Sequence, residues 1–264
     1  DEVKKLANSR PENMTAYDLV LQGLEYHREA GFIKENTKKA FQFFDKAVNV
    51  DPQYARAHAW RACSMPAYVQ QYPEELSDHP DYNWQLDCIS SAEKAIKLDE
   101  NDHEAHRIMG SIALMKKDYI KARFHTERSM ELCPSDAFIL GLNAKLMVLV
   151  DDIEAGFKTV ERAKRIHPFC PDNLLLTEAL CYYWTKEYKS AVNCFGKLRN
   201  PTNNSNFYLS ATYIKTGNFD KAKETLSNLQ NFNKEEIEKF VTGEKYENTV
   251  LQKDLEDTLL QLLP

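Results

Sequence analysis

A short stretch of this chain repeats itself at a fixed spacing. Four positions recur 34 residues apart, as the pairs Ala122 and Gly156, Thr126 and Val160, Ser129 and Ala163, and Pro134 and Pro168. Internal similarity at this period is typical of stacked pairs of antiparallel helices, in which each pair buries its apolar side against the next. The repeat therefore predicts an all-α, right-handed superhelical solenoid, and it supplies the frame for interpreting the rest of the chain.

The same pattern extends the array in both directions. We predict about six helix pairs over residues 14–231, with small residues where two helices cross and a proline or turn where the second helix stops. Residues 1–13 are predicted to form a linker and residues 232–264 a helical cap. One side of the last helix carries Leu251, Leu255, Leu259 and Leu262. Such a helix covers the exposed end of a solenoid, although a homodimer seam or a partner-binding helix has the same pattern.

Residues 64–85 form an insertion within the second helix pair. It carries prolines and aromatic residues: Pro66, Pro73, Pro80, Tyr68, Tyr72, Tyr82 and Trp84. Insertions in solenoids lie in loops on one face and often add function, whereas the simpler interpretation is that this one lengthens both helices and packs on itself. Asp81 is predicted to cap the helix that follows the insertion.

Composition narrows the classes of function. The net charge is −6, and lysine and arginine are scattered among the acidic residues, so the electrostatic footprint of direct nucleic-acid binding is missing. No apolar run reaches the roughly 20 residues that span a bilayer, and no signal-peptide pattern opens the chain, which favours a cytoplasmic protein. The six cysteines form no Cys-x-x-Cys pair and are predicted to be free, mostly buried thiols.

The sequence carries no signature of catalysis, of a cofactor or of a metal site. It lacks a nucleophile elbow, a phosphate-binding glycine loop and a His-Glu-x-x-His motif, so we do not expect an enzyme. His103 and His106 are three residues apart and could combine with Glu104 or His125 to bind zinc. Packed or solvent-facing histidines are the commoner explanation of such a pair, and no metal site is predicted.

A binding surface is easier to predict than a catalytic site. In stacked helix pairs the first helix of each pair lines the inner, concave wall, and a fixed set of its positions faces the groove. Counting in the repeat frame gives a candidate partner-binding groove of nine residues: Arg56, Arg107, Phe138, Lys145, Asn173, Leu176, Tyr183, Trp184 and Phe207. Charged residues near its middle and aromatic residues toward its C-terminal end suit a protein or peptide partner with apolar anchors. The alternative is that these aromatic side chains pack against the next repeat.

These spacings resemble those of tetratricopeptide repeat proteins. A more specific resemblance is to the tetratricopeptide region that follows the catalytic domain of bacterial class III adenylate or guanylate cyclases. It lies in residues 10–23 (RPENMTAYDLVLQG), 40–59, 92–99 and 125–132. Similar regions follow the winged helix of some transcriptional activators. Glu100 and Cys133 depart from the usual residues at their positions. Repeats that grip a partner's terminal carboxylate use Lys and Asn where this chain has Val20, Leu24, Trp60, Glu104 and Ile108, so that mode of binding is not predicted.

The resemblance implies a non-catalytic interaction or scaffolding module in a bacterial protein. Its preferred context is the regulatory region of a larger nucleotidyl cyclase. A free-standing adaptor or bacterial effector, and the effector region of a winged-helix activator, are the alternatives. None of the catalytic residues of a cyclase has a counterpart in this sequence.

Overall fold

A computed structural model describes residues 14–29, 33–76, 81–169, 171–227, 229 and 232–263 of the chain. Fourteen α-helices lie in these ranges: α1 Met14–Glu29, α2 Lys34–Val50, α3 Ala55–Gln71, α4 Trp84–Leu98, α5 His103–Met115, α6 Tyr119–Leu132, α7 Ala137–Leu149, α8 Ile153–Ile166, α9 Asp172–Trp184, α10 Tyr188–Phe195, α11 Asn203–Lys215, α12 Phe219–Leu226, α13 Lys234–Gly243 and α14 Thr249–Leu260. The predicted all-α array of helix pairs is confirmed. The predicted linker and Cys170 lie outside the described residues.

The chain divides into two compact units, residues 1–112 and residues 113–264. In unit one, α1 packs against α2 and α3 packs against α4. Alanines that are fully buried, such as Ala40 and Ala92, lie where the paired helices cross, and larger side chains such as Phe44 and Met65 fill the space beside them. Small residues at these crossings are what the repeat pattern predicted, because a larger side chain would push the two helices apart.

Helices α1 and α2 approach each other closely at Gly23 of α1. A Cβ atom built on this residue would lie 2.5 Å from the ring of Phe44, which is itself fully buried. We expect Gly23→Ala to lower the free energy of unfolding by about 1–3 kcal/mol, because the overpacking outweighs the gain of roughly 1 kcal/mol in helix propensity. Chemical denaturation would measure this loss. Gly243→Ala is the control, because a Cβ there meets nothing within 4 Å; equal effects of the two changes would contradict the prediction.

Part of the insertion continues helix α3. That helix runs to Gln71 with Pro66 inside it, and the 3-10 turn Pro73–Leu76 follows, with the Glu75 carboxylate 2.5 Å from the Lys38 ammonium of α2. The Tyr68 ring stacks on Phe41 of α2 with 4.4 Å between ring centroids. Residues 77–80, including His79, lie outside the described residues. The prediction that Asp81 caps α4 is wrong: the helix begins at Trp84, and the Asn83 side chain accepts the cap hydrogen bond from the Leu86 amide at 3.1 Å.

Unit two is built from the same kind of helix pair. Side chains of Asp118, Asp136, Asp152 and Asn218 cap helices by accepting hydrogen bonds from backbone amides of the first turn. Turns within the pairs hold one residue in the left-handed region: Lys117, Asp151, Lys186 and Gly217, with φ between 58° and 76°. These turns keep the two helices of a pair antiparallel and close.

The last two helices pack within unit two. Helix α14 packs against α11 and α13, with Leu255 and Leu259 fully buried. Phe240 of α13 stacks on Phe207 of α11 with 4.5 Å between ring centroids. The apolar side predicted for the last helix is therefore buried within its own unit. No described helix is both long enough and apolar enough to cross a membrane.

Candidate functional site

Two of the predicted groove residues lie in unit one, and both are paired within it. The Arg56 guanidinium lies 2.5 Å from the Asp102 carboxylate, beside a cavity of about 320 Å³ that Tyr17 and Tyr54 also line. The Arg107 guanidinium lies 2.6 Å from Glu104, and both of these side chains are buried. Arg107 also lies over the Trp60 ring. The pairing of Arg107 is therefore part of the core of unit one.

A thiol lies beside the Arg107 guanidinium. Arg107 Nη2 donates a hydrogen bond to Cys63 Sγ at 3.5 Å. Burial opposes ionisation of this thiol, but Arg107 and the His27 imidazole outweigh it and lower the pKa of Cys63 from 9.0. Burial instead raises the pKa of Cys88 to about 11. Cys63, Cys88, Cys181 and Cys194 are free thiols.

We expect these two thiols of unit one to titrate in a fixed order. As pH rises, Cys63 forms its thiolate first, with a midpoint below 9.0, and Cys88 follows near 11. Iodoacetamide labelling followed by site-resolved mass spectrometry would give the two midpoints, with Cys63→Ser as the control for peptide assignment. A Cys63 midpoint equal to that of Cys88 would contradict the prediction.

Three predicted groove residues form a partly open surface in unit two. The Phe138 side chain is 55% exposed at the start of α7. Asn173 of α9 donates from Nδ2 to the Phe138 carbonyl at 3.1 Å, and Leu176 is half-buried one turn further along α9. A Cβ on Gly141 would lie 2.8 Å from Asn173 Nδ2, so the glycine allows the amide to reach α7. Solvent reaches this part of the predicted groove.

The aromatic end of the predicted groove is covered by the chain itself. Tyr183, Trp184 and Phe207 are all buried, with 9% exposure at most. Phe207 lies under Phe240, and the Trp184 ring meets Tyr246 edge to face with 5.3 Å between centroids. The alternative, packing against the next repeat, describes Tyr183, whose ring lies 6.2 Å from that of Tyr208, whereas Trp184 and Phe207 pack against residues that follow the repeats. The covering residues lie in α13, for Phe240, and between α13 and α14, for Tyr246.

The residues between α13 and α14, Glu244–Asn248, are called the C-terminal segment below. Its Glu244 carboxylate is buried and accepts hydrogen bonds from three donors. These are the Lys145 ammonium at 3.2 Å, the Asn204 amide at 3.1 Å and the Tyr208 hydroxyl at 2.9 Å. The predicted groove residue Lys145 is thus brought together with two residues of α11.

A chain of hydrogen bonds continues from this carboxylate. The hydroxyls of Tyr208 and Tyr246 are 2.5 Å apart, and Trp184 Nε1 donates to the Tyr246 hydroxyl at 3.2 Å. Because the Tyr208 hydroxyl already donates its hydrogen bond to Glu244, the Tyr246 hydroxyl must be the donor in the bond between the two tyrosines. Burial, reinforced by the nearby Glu244 charge, raises the pKa of both phenols well above the usual value of 10.0. Every polar atom in this row has a partner.

This network predicts a loss of stability in alkali. Because both phenols have a higher pKa in the folded chain than the unfolded value of about 10, their contribution is complete below that pH. It is lost as pH rises above 10, by up to about 1.4 kcal/mol per pH unit for each tyrosine. Urea denaturation from pH 8 to 12 would measure the slope. The control is Tyr208→Phe/Tyr246→Phe, which should have a shallower slope; equal slopes would contradict the prediction.

Backbone atoms also hold the C-terminal segment. The Glu247 amide donates to the Leu149 carbonyl at 2.9 Å, at the end of α7. The Tyr119 hydroxyl donates to the Tyr246 carbonyl at 3.1 Å, and the Asn248 amide reaches the Asp151 carboxylate at 3.2 Å. Helices α6, α7, α9 and α11 therefore all contribute to the surface under this segment. We call this surface, formed by Tyr119, Lys145, Trp184, Asn204 and Tyr208, the segment-binding surface.

Sequence reasoning missed most of this surface. Tyr119, Asn204 and Tyr208 of this surface were not among the predicted groove residues, and neither were Glu244 and Tyr246 of the segment that it holds. A signal was present, because the segment between the two cap helices places an acidic and an aromatic residue two positions apart in a polar run. Of the residues considered for zinc, Glu104 pairs with Arg107, and the His106 ring hydrogen-bonds to the Glu100 carbonyl. Within the described ranges, no group of three or more metal-ligating side chains is placed to hold a metal ion.

Solved structures share the helix-pair fold. The chain is similar to a chain of the hetero-tetramer Cut9–Hcn1 of the APC/C, with a TM-score of 0.58 and 14% identity over 94% of this chain and 45% of that one. It is similar to pilF of Pseudomonas aeruginosa, with a TM-score of 0.56 and 17% identity over 87% of this chain and 98% of that one. A tetratricopeptide repeat protein of Parabacteroides merdae matches with a TM-score of 0.50 and 10% identity over 94% and 100% of the two chains.

These similarities establish the fold class. The chain has the all-α helix-pair fold of tetratricopeptide repeat proteins, and it spans less than half of the Cut9–Hcn1 chain that it matches. At identities below 20%, the neighbours carry information about fold and none about partners. No protein-family model matches the chain, and no curated protein sequence is significantly similar to it.

Proposed function

We propose that this chain is a non-catalytic interaction module that binds a protein or peptide partner on the first helices of its repeats. The observation that carries the proposal is the C-terminal segment, a non-helical stretch held across α7, α9 and α11 by side-chain and backbone hydrogen bonds. A surface that holds such a stretch of its own chain has the donors and the aromatic contacts needed to hold one from another protein. Phe138, Asn173 and Leu176 would extend that contact toward the N-terminal end of α7 and α9.

The preferred context is the regulatory region of a bacterial nucleotidyl cyclase in the cytoplasm. The sequence resemblance over residues 10–23 and 40–59 supports this context. The alternatives are a free-standing adaptor or effector and the effector region of a winged-helix activator. Reading the coding sequence upstream of Asp1 separates them: a cyclase domain supports the first, a winged helix supports the third, and a start codon there rules out both attached domains.

Two further properties belong to the proposal. With a net charge of −6, the chain should not bind nucleic acid directly, and gel-shift assays at low salt would reveal any such binding. A homodimer through the last helix was predicted as an alternative to a cap. Because Leu255 and Leu259 of that helix are fully buried within unit two, we propose that the chain uses this helix as a cap. Light scattering of the purified chain tests this.

Binding itself is tested by selecting peptides on the full chain. Lys245 lies in the left-handed region with φ of 56°, a conformation closed to proline, so Lys245→Pro weakens the C-terminal segment and leaves every side chain of the segment-binding surface in place. Panning a random peptide library against Lys245→Pro should enrich peptides that bind it and fail to bind Lys245→Pro/Lys145→Ala. Lys158→Ala, at an exposed position of α8, replaces Lys145→Ala in the control. If no peptide is enriched, or if the enriched peptides bind equally well after Lys145→Ala, the proposal is contradicted.

A further inference from the structure

The C-terminal segment defines the chemistry of a ligand, and this inference rests on the proposed function. Two of its side chains, Glu244 and Tyr246, point into the segment-binding surface and are buried, while Glu247 beside them is exposed. The segment therefore uses an acidic and an aromatic side chain separated by one residue. Each has its own site on the surface.

The site for the acidic side chain is selective for a carboxylate. One cation, Lys145, and two neutral donors, Asn204 and Tyr208, converge on the oxygens of Glu244. An amide in place of the carboxylate would turn an NH₂ group toward these donors, and an NH₂ group cannot accept a hydrogen bond. Charged hydrogen bonds of this kind discriminate strongly because an unmatched buried donor keeps its full desolvation cost.

The neighbouring site is selective for a phenol. The Tyr246 ring packs edge to face on Trp184, and its hydroxyl both donates to Tyr208 and accepts from Trp184 Nε1. Phenylalanine would fill the space but would leave the Trp184 N–H and the Tyr208 oxygen without this partner. A side chain without a ring would leave a cavity beside Trp184.

The residue between the two side chains has an unusual backbone. Lys245 has φ of 56°, which lies in the left-handed region, and Glu244 before it is in the right-handed helical region with φ of −73° and ψ of −18°. This reversal turns both Glu244 and Tyr246 toward the same surface. Glycine adopts the left-handed region without steric cost, a lysine adopts it at a cost, and a proline can neither adopt it nor follow a helical residue comfortably.

We infer that the segment-binding surface recognises a partner polypeptide carrying Glu-x-Tyr, with glycine preferred at x, and that the chain's own Glu244-Lys245-Tyr246 occupies this site until such a partner displaces it. The lysine at the central position makes the internal ligand weaker than a Glu-Gly-Tyr partner with the same side chains. That difference favours the partner at equal effective concentration, so a partner in excess can compete with the tethered segment. The Lys145 side chain is 31% exposed, so the site borders solvent, from which a competing chain can enter.

Fluorescence anisotropy with labelled synthetic peptides tests this inference. The probe Thr-Gly-Glu-Gly-Tyr-Glu-Asn follows the order of residues 242–248 with glycine in place of the lysine. Matched probes carry Lys or Pro at the central position, Gln for the first Glu, or Phe for Tyr. Each is titrated against the full wild-type chain, Lys245→Pro and Lys245→Gly.

The expected order follows from the backbone argument. The Glu-Gly-Tyr probe should bind about fivefold more tightly than Glu-Lys-Tyr, and the Glu-Pro-Tyr and Gln-Gly-Tyr probes at least about tenfold more weakly than Glu-Gly-Tyr. For any probe, Lys245→Pro should bind more tightly than wild type, and Lys245→Gly more weakly. Equal affinity for the Gly and Pro probes, or for Glu and Gln, would overturn the inference.

A second measurement does not depend on the proline variant. In the wild-type chain, excess Glu-Gly-Tyr probe should accelerate hydrogen exchange at the Glu247 amide, which donates to the Leu149 carbonyl, by at least about tenfold. The Glu-Pro-Tyr probe should leave it unchanged. No acceleration by the Gly probe in excess, together with no binding to Lys245→Pro, would overturn the inference.

The remaining outcomes separate this inference from the proposed function. If the library selects Lys145-dependent peptides that lack Glu-x-Tyr and the defined probe does not bind, the ligand chemistry is wrong and the interaction module stands. If no peptide of any sequence binds, the proposed function fails. A wild-type dimer that the probe converts to monomers would identify the occupant as a second copy of this chain and overturn the inference of a separate partner.

Discussion

Tyr246→Ala should lower the free energy of unfolding of unit two by about 3–5 kcal/mol. This is one of the two largest effects that we expect of a single substitution in this chain. The Tyr246 side chain is 1% exposed and fills the space between Trp184 and Tyr208. Its removal leaves a cavity, takes away the acceptor of the Trp184 N–H and leaves the Tyr208 oxygen without a donor. The transfer and cavity terms therefore add to the cost of unsatisfied polar atoms.

The loss has an upper limit set by the segment itself. If the C-terminal segment detaches before the helices unfold, the measured loss equals the free energy that docks it. Two probes separate these cases. Far-UV circular dichroism in urea reports the helices, and the fluorescence of Trp184, obtained as the difference from Trp184→Phe, reports the segment. A transition in fluorescence at lower urea than the transition in dichroism marks detachment.

Two controls accompany Tyr246→Ala. Tyr246→Phe keeps the ring and removes only the hydroxyl, so it should cost about 1–3 kcal/mol. Val250→Ala changes a side chain nearby in the sequence that is 74% exposed, and it should stay within about 0.5 kcal/mol of the wild type. A loss for Tyr246→Ala no greater than that for Val250→Ala would mean that the C-terminal segment does not cover Trp184 in solution.

The repeat spacing predicts the helices well because it reports a local requirement. Small residues such as Ala122 and Gly156 recur where two helices cross, and prolines and turns recur where a helix must stop, so the helix pairs can be counted before any contact is known. The apolar side of the last helix could also be recognised, because Leu255 and Leu259 lie four residues apart and both are buried. Each of these features depends on neighbours in the sequence or on the adjacent repeat.

The state of the candidate site could not be predicted in the same way. The repeat frame placed Tyr183, Trp184 and Phe207 toward the groove, but Trp184 and Phe207 are covered by Tyr246 and Phe240, which lie outside the repeats. Tyr246 covers Trp184 with Lys245 in a left-handed conformation, and a Glu-Lys-Tyr sequence does not predict that conformation. A repeat pattern thus tells which face a side chain is on, and not whether another part of the chain already covers that face.

The charged middle of the predicted groove has a different explanation. A charged residue at a groove position suggests a contact for a partner, yet Arg107 is 8% exposed and its neighbour one turn earlier, Glu104, is 5% exposed. Three residues apart on α5, the two side chains satisfy each other inside unit one. Sequence spacing alone does not separate a buried pair from an exposed one. Breaking a buried ion pair costs much more stability than breaking an exposed one, so the assignment of Arg107 to a buried pair can be tested.

Arg107→Met should lower the free energy of unfolding of unit one by about 3–5 kcal/mol, because it leaves the Glu104 carboxylate buried without a cation. Burial works against the charged guanidinium, but Cys63 and Glu104 outweigh it and raise the pKa of Arg107, so the charge is present at neutral pH. Arg107→Met/Glu104→Leu should recover most of the loss, because an apolar pair of similar volume needs no ionic partner. Urea denaturation of the wild type, both single variants and the double variant completes the cycle.

An exposed pair provides the matched control. Lys158 and Glu154 lie 2.6 Å apart on α8 with side chains 72% and 79% exposed, so Lys158→Met should change stability by no more than about 1 kcal/mol. If Arg107→Met costs as little as Lys158→Met, Arg107 is solvated and available to a partner, as the repeat frame first suggested. If the double variant loses as much as the two single variants together, the residues act separately and the buried pair is not a unit. Recovery in the double variant, with little effect at Lys158, would assign Arg107 to the core of unit one and leave the segment-binding surface of unit two as the place to look for a partner.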